Sequence, residues 1–162
     1  MSALRKPAPS EDDARARLEA MCARAEHCTQ ELRDKLWVWG VSRDVAERIL
    51  ARLQDDGFVD DRRFARAYAS DKVKFSRWGR RKLQVMLSRK RISSEDIAAA
   101  IEEIDEAVYE ENLRHLLILK AASLTSDSEA HTHEGRVKLF RFAVSRGYEP
   151  EMCGRFIREM FP

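Results

Sequence analysis

Three stretches of this chain read alike, and that recurrence limits the folds open to it. Take Ser42, Ser93 and Glu149 as equivalent helix starts. Offsets +4, +7, +8 and +11 then hold Ala46, Ile49, Leu50 and Leu53; next Ile97, Ala100, Ile101 and Ile104; last Cys153, Phe156, Ile157 and Met160. An apolar joint precedes each start: Val41, Ile92 or Tyr148. Four and eight residues before Gly40, Arg91 and Gly147 come Leu36 and Leu32, Leu87 and Leu83, and Ala143 and Leu139. The starts lie 51 and 56 residues apart, a period typical of stacked arrays. Spacings of three and four put each apolar set on one helix face. A unit of about fifty residues has a marginal core alone, so neighbours must stack. The expected fold is all-α: three tandem three-helix repeats stacked into an elongated, curved array with a broad concave surface.

With only six glycines and four prolines, the chain has few helix breakers. Residues 1–12 hold two of those prolines and are expected to form a flexible tail. Repeat 1 covers 13–57. Its first helix runs from Asp13 to about Glu26, with a stripe of Ala14, Leu18, Met21, Cys22 and Ala25. Thr29 is expected to cap the second, with Leu32, Leu36, Trp37 and Trp39 as its apolar set, and Ser42 the third, which ends near Gly57. Repeat 2 covers 58–105: a helix Asp61–Phe75, a corner at Trp78-Gly79, and a second helix to Arg91. Ser93-Ser94-Glu95-Asp96 resembles a capping box with Asp in place of Glu. Repeat 3 covers 106–162. Its first helix, Glu106–Ser123, has Val108, Leu113, Leu116, Leu117 and Leu119 apolar, and the polar stretch 124–133 is expected to be an exposed, mobile loop.

Charge is sorted along the chain. From Arg62 to Arg91 there are twelve Lys/Arg against one acid, Asp71; from Ser93 to Asn112 there are eight acids and no Lys or Arg. Such asymmetry concerns association rather than fold. On the second helix of repeat 2, Arg77, Arg81, Gln84, Ser88 and Arg91 form one polar stripe opposite Leu83 and Leu87. Lys82 with Arg89, and Lys74 with Arg81, widen it. Guanidinium groups set outward this way suit phosphate oxygens or carboxylates. Phe75 and Trp78 interleave with the charges as base stacking would require, although corner packing accounts for both rings. The acidic tract reads as ordinary solvated helix face, or as a second patch of opposite sign.

Other chemistries find little support. Cys22, Cys28 and Cys153 are an odd set with no CxxC, which argues against a disulfide framework and fits a reducing, cytoplasmic location. His131 and His133, or Cys22, His27 and Cys28, lack a second ligand pair at zinc-site spacing. Asp55, Asp56, Asp60 and Asp61 flank a helix end and the next helix start, where caps and turns favour Asp. No glycine-rich phosphate loop occurs. No signal peptide or apolar membrane-length run is visible. The expectation is no enzyme, no metal, no cofactor and no membrane partner.

Gly57-Phe58-Val59-Asp60-Asp61, Arg63-Phe64-Ala65, Trp78-Gly79 and Leu83 through Ile92 together resemble the signature of the RecX family, regulatory partners of the RecA recombinase. The match is densest over residues 55–93 and extends loosely from about 14 to 161. Arg91 departs from it, standing where the pattern usually has a glycine. The resemblance implies a helical array lying in the groove of the RecA filament on single-stranded DNA. There it would restrain ATP hydrolysis, strand exchange and SOS coprotease activity, within DNA repair and recombination. Candidate RecA- or DNA-contacting residues are Lys72, Lys74, Arg77, Arg80, Arg81, Lys82, Arg89, Lys90 and Arg91. Gly57, Asp60, Asp61, Arg63, Phe64, Trp78, Gly79 and Leu83 match the motif with structural duties as cap, core and corner. The expected partners are the RecA filament and single-stranded DNA, with double-stranded DNA at weak sequence preference, and the expected state is a monomer. The alternatives are a stand-alone, sequence-independent DNA binder using the 62–91 surface, and a helical-repeat adaptor for another protein.

Overall fold

The structure, a computed structural model, describes residues 5–162. Among these residues it is all helical: nine α-helices, one 3-10 turn and no strand. The helices are α1 (Glu11–Arg24), α2 (Thr29–Val38), α3 (Arg43–Asp55), α4 (Asp61–Ser76), α5 (Arg80–Arg89), α6 (Ser94–Glu102), α7 (Glu106–Ala122), α8 (His133–Ser145) and α9 (Pro150–Met160). They form three triplets, each with its own cluster of buried apolar residues. The total accessible surface is 10398 Å², against about 8300 Å² for a compact monomer of this mass. Units set in a row account for the excess.

The repeat is carried down to backbone geometry. The middle helices α2, α5 and α8 end alike: the N–H of Val41, Ile92 and Tyr148 donates to the carbonyl of Leu36, Leu87 and Ala143, six residues spanning the turn. This closure needs one left-handed residue followed by an apolar residue that packs back on the helix. Gly40 (φ +79°), Arg91 (φ +56°) and Gly147 (φ +97°) supply the first. Val41, Ile92 and Tyr148, all buried, supply the second. Arg91 is the one of the three with a Cβ, and left-handed backbone costs an L-residue about 1–2 kcal/mol.

Several expected details shift. α1 starts at Glu11, because Ser10 accepts from the Asp13 N–H and caps it. The remainder of the tail, Arg5–Pro9, lines a groove with the α2–α3 corner; residues 1–4 lie outside the described part. Thr29 is the first residue of α2 rather than its cap, and Cys28 occupies the cap position without a side-chain bond. The acceptor comes instead from Asp61 of α4, whose Oδ1 receives the Thr29 N–H at 2.7 Å and hydroxyl at 2.9 Å. Within α7, Val108 and Leu119 face solvent and Tyr109 is buried in their stead. The 124–133 stretch is not wholly exposed: a 3-10 turn, Glu129–His131, buries Ala130. Glu129 fastens that turn through the Thr125 N–H and Lys138.

Candidate cationic interface

Helices α4 and α5 carry the basic block, and the fold divides its nine candidate cations into three groups. α5 points Leu83 and Leu87 into the core, which leaves Arg81, Gln84, Ser88 and Arg89 exposed on the far side. Arg91 is exposed just beyond the helix.

The second group gathers around the corner. Chain direction reverses at Arg77, a left-handed residue (φ +50°) whose carbonyl accepts from the Tyr148 hydroxyl at 2.9 Å. That turn half-buries Trp78 between the ammonium groups of Lys72 and Lys82, 4.8 and 4.6 Å from its ring. Tyr68 meets the indole edge-on at 6.1 Å. Phe75 does not pack at the corner: it is 72% exposed, with Lys74 Nζ 5.2 Å from its ring. Lysines over ring faces are held close without losing their charge, leaving a cationic and aromatic surface.

The third group is committed to the joints between units. Arg80 donates to Glu149 at 3.3 Å and to Glu106, and its guanidinium lies 3.8 Å over the Tyr109 ring. Burial opposes the Arg80 charge, but the two carboxylates outweigh it and hold its pKa above the usual value. Lys90 reaches back to Glu31 of the first unit at 2.8 Å, a hydrogen bond that raises its pKa. Arg80 and Lys90 are therefore each paired with a carboxylate of another unit.

The motif residues also sit at joints. Asp60 caps α4 through the Arg63 N–H at 3.0 Å. Arg63 pairs with Glu26 at 2.7 Å and donates to the Gly57 and Phe58 carbonyls. Gly57 closes α3 (φ +78°), while Phe64 and Leu83 are buried. Gly79 lies against the third unit, donating its N–H to Arg146 at 2.8 Å. Much of the acidic tract is internally paired too: Glu103 with Arg66 at 2.8 Å, Glu106 with Arg80, Glu110 with Arg114 at 3.4 Å.

No group of three metal-ligating side chains comes together among the described residues. His131 instead bonds the Pro162 carbonyl at 3.0 Å, and Asp56 pairs with Arg52 at 2.9 Å. No described helix is long and apolar enough to cross a membrane.

The family model for the first three-helix domain of RecX matches residues 14–53, and that for the second matches residues 60–101. Together they account for half of the chain. The chain belongs to the RecX family. Among curated RecX relatives, the regulatory protein RecX of Clostridium perfringens is 28% identical over 131 residues, spanning 81% of this chain and 60% of the relative. That of Mycolicibacterium smegmatis is 31% identical over 127 residues, 76% of this chain and 66% of the relative. The chain thus spans about 60% of the length of the first of these relatives. The crystal structure of RecX from Lactobacillus salivarius superimposes with a TM-score of 0.80 at 17% identity, covering 93% of this chain and 96% of that one. It supports the RecX architecture of three-helix repeats.

One surface was not expected from the sequence. Trp37, placed there on the apolar side of α2, is 81% exposed, and Val38 beside it is 77% exposed. The signal was the run Leu36–Trp39: four apolar residues in succession cover most of a helical turn, so they cannot all face one core.

Proposed function

We propose that this chain regulates the RecA recombinase by lodging in the groove of the RecA filament on single-stranded DNA, where it restrains ATP hydrolysis, strand exchange and SOS coprotease activity. What supports this most directly is the division of the basic block in a member of a regulatory family. Arg81 and Arg89 are exposed on α5, Lys72 and Lys82 flank Trp78, and Arg80 and Lys90 brace the scaffold that presents them. Cations on a rigid helix face address phosphates or an acidic protein surface and would compete with a second DNA strand entering the same groove. The chain acts as a monomer, in the cytoplasm, with no cofactor and no catalytic step of its own.

The test is RecA-catalysed ATP hydrolysis on single-stranded DNA at near-physiological salt, with the chain added well below the RecA concentration. The rate is expected to fall at ratios far below one per RecA. Arg77, Arg81 and Lys82 changed together to Glu should abolish that fall; retained inhibition would sink the basic-face mechanism. No effect of the unmodified chain, alongside salt-sensitive binding to naked DNA, would instead favour a stand-alone DNA binder.

A further inference from the structure

Trp37 sits between two grooves. One, of about 570 Å³, is lined by Arg33, Trp37, Val41, Arg43, Glu47 and Arg91. The other is lined on its cationic side by Arg5, Lys6, Arg17 and Arg43. Among the described residues Glu47 is the single acid lining either groove, and Arg33 already neutralises it with two bonds of 2.8 and 3.3 Å. The surroundings of Trp37 therefore carry a clear excess of positive charge.

The three tryptophans differ in what covers them. Arg17 and Lys35 lie over Trp39, at 5.5 and 6.0 Å, and Lys72 and Lys82 over Trp78. No such cation or neighbouring ring covers Trp37 among the described residues, and the residue is 81% exposed. An open aromatic face among unneutralised arginines matches an unpaired nucleobase with its phosphates. An acidic peptide would use the charge and leave the ring idle. Duplex DNA would present phosphates but keep its base faces stacked.

Arg91 supplies a second, independent sign. It holds a left-handed conformation that the equivalent positions give to Gly40 and Gly147. A glycine would fit there without strain, yet the chain keeps a guanidinium, and that residue lines the Trp37 groove. Strain retained beside an open groove points to use.

We infer that Trp37 and Arg43 of the first unit, with Arg91 of the second, form a second single-strand contact, in which the indole stacks on an unpaired base and the two arginines hold flanking phosphates. It deepens the function proposed above only in sharing single-stranded DNA as a partner. Arg91 also borders the exposed α5 surface, so the site spans the joint between the first two units and meets that surface at this residue.

The test uses the full chain and oligo(dT), first by anisotropy of an end-labelled strand. Trp37→Ala should weaken binding about 5- to 100-fold, and Trp37→Phe should restore most of it. Arg91→Gly should weaken binding and lower the salt slope by about 0.7 while raising the thermal midpoint, a combination that a purely structural residue would not give. In a Trp39→Phe/Trp78→Phe chain, oligo(dT) should quench the remaining fluorescence saturably, with duplex and polyglutamate having little effect. Unchanged affinity in Trp37→Ala, no binding of oligo(dT) by the chain, or equal quenching by polyglutamate would each overturn the inference. RecA hydrolysis run in parallel separates the two ideas. Trp37→Ala that keeps both inhibition and oligo(dT) affinity defeats this inference alone; a chain that stacks oligo(dT) on Trp37 without restraining RecA defeats only the function proposed above.

Discussion

Gly79 and Gly147 meet backbone to backbone: a Cβ built on Gly79 would stand 2.2 Å from the Gly147 carbonyl carbon and 2.3 Å from the Tyr148 nitrogen. Two hydrogen bonds, Gly79 N–H to Arg146 at 2.8 Å and Arg81 N–H to Gly147 at 2.9 Å, lock this approach. Neither neighbouring atom belongs to a flexible side chain, so a methyl group at 79 must part the second and third units. Gly79→Ala is expected to destabilise the chain by about 3 kcal/mol or more, and chemical unfolding should lose its single transition. A midpoint within error of the unmodified chain would show that the two backbones can part to admit a methyl group at little cost.

The first joint rests on Asp61, which gives α2 the N-terminal acceptor that Cys28 cannot. Thr29 is buried, so deleting the carboxylate strands its N–H and leaves its hydroxyl only the Gln54 amide, which donates to it at 3.2 Å. Asp61→Ala should cost about 1–3 kcal/mol. Asp61→Asn, which keeps an acceptor oxygen but loses the charge, should cost about half as much. Urea midpoints of the two variants check the order.

These joints were largely invisible in the sequence, whereas the units were not. The offsets that define the repeat pick out Leu32, Leu36, Leu83, Leu87, Leu139 and Ala143, all fully buried, because helical periodicity is a local property. Asp61 with Thr29, Lys90 with Glu31 and Gly79 with Gly147 join residues in different units, and a single sequence holds no pairing information at that range. The basic block was legible as charge. Which cations stay free was not: Arg80 and Arg81 are neighbours, yet one is bound by two carboxylates and the other is exposed. Trp37 was misplaced for a related reason, since periodicity assigns a residue to a face without saying how wide the buried stripe is.

The Lys90–Glu31 pair makes the first joint sensitive to acid. Burial works against the Glu31 charge, but hydrogen bonds from Lys90 and His27 prevail and hold its pKa below the usual value. A carboxylate with a depressed folded pKa stabilises above its unfolded value, near 4.5, and loses that contribution as pH falls through the folded pKa. Glu31→Gln should therefore be less stable than the unmodified chain by about 1 kcal/mol near pH 7. That gap should close as pH drops toward about 3. Urea midpoints at both pH values decide it, and a gap unchanged with pH would mean that the pair is not what couples the joint to protons.

Two buried thiols report on the two joints separately. Cys28 belongs to the first unit but packs into the second unit's core, with its Sγ 3.9 Å from the Lys90 carbonyl. Cys153 lies on α9, where burial is the main cause that pushes its pKa up to about 11. At about pH 8 the thiolate fraction of such a group is on the order of 0.001, so modification must await opening. Half-buried Cys22 should react with a thiol reagent first, and the other two more slowly by orders of magnitude. If units behave as coupled but separable elements, Gly79→Ala should speed Cys153 far more than Cys28, and Asp61→Ala should do the reverse. Equal acceleration of both thiols in either variant would mean that the array opens as one cooperative body, and that its joints are not independent.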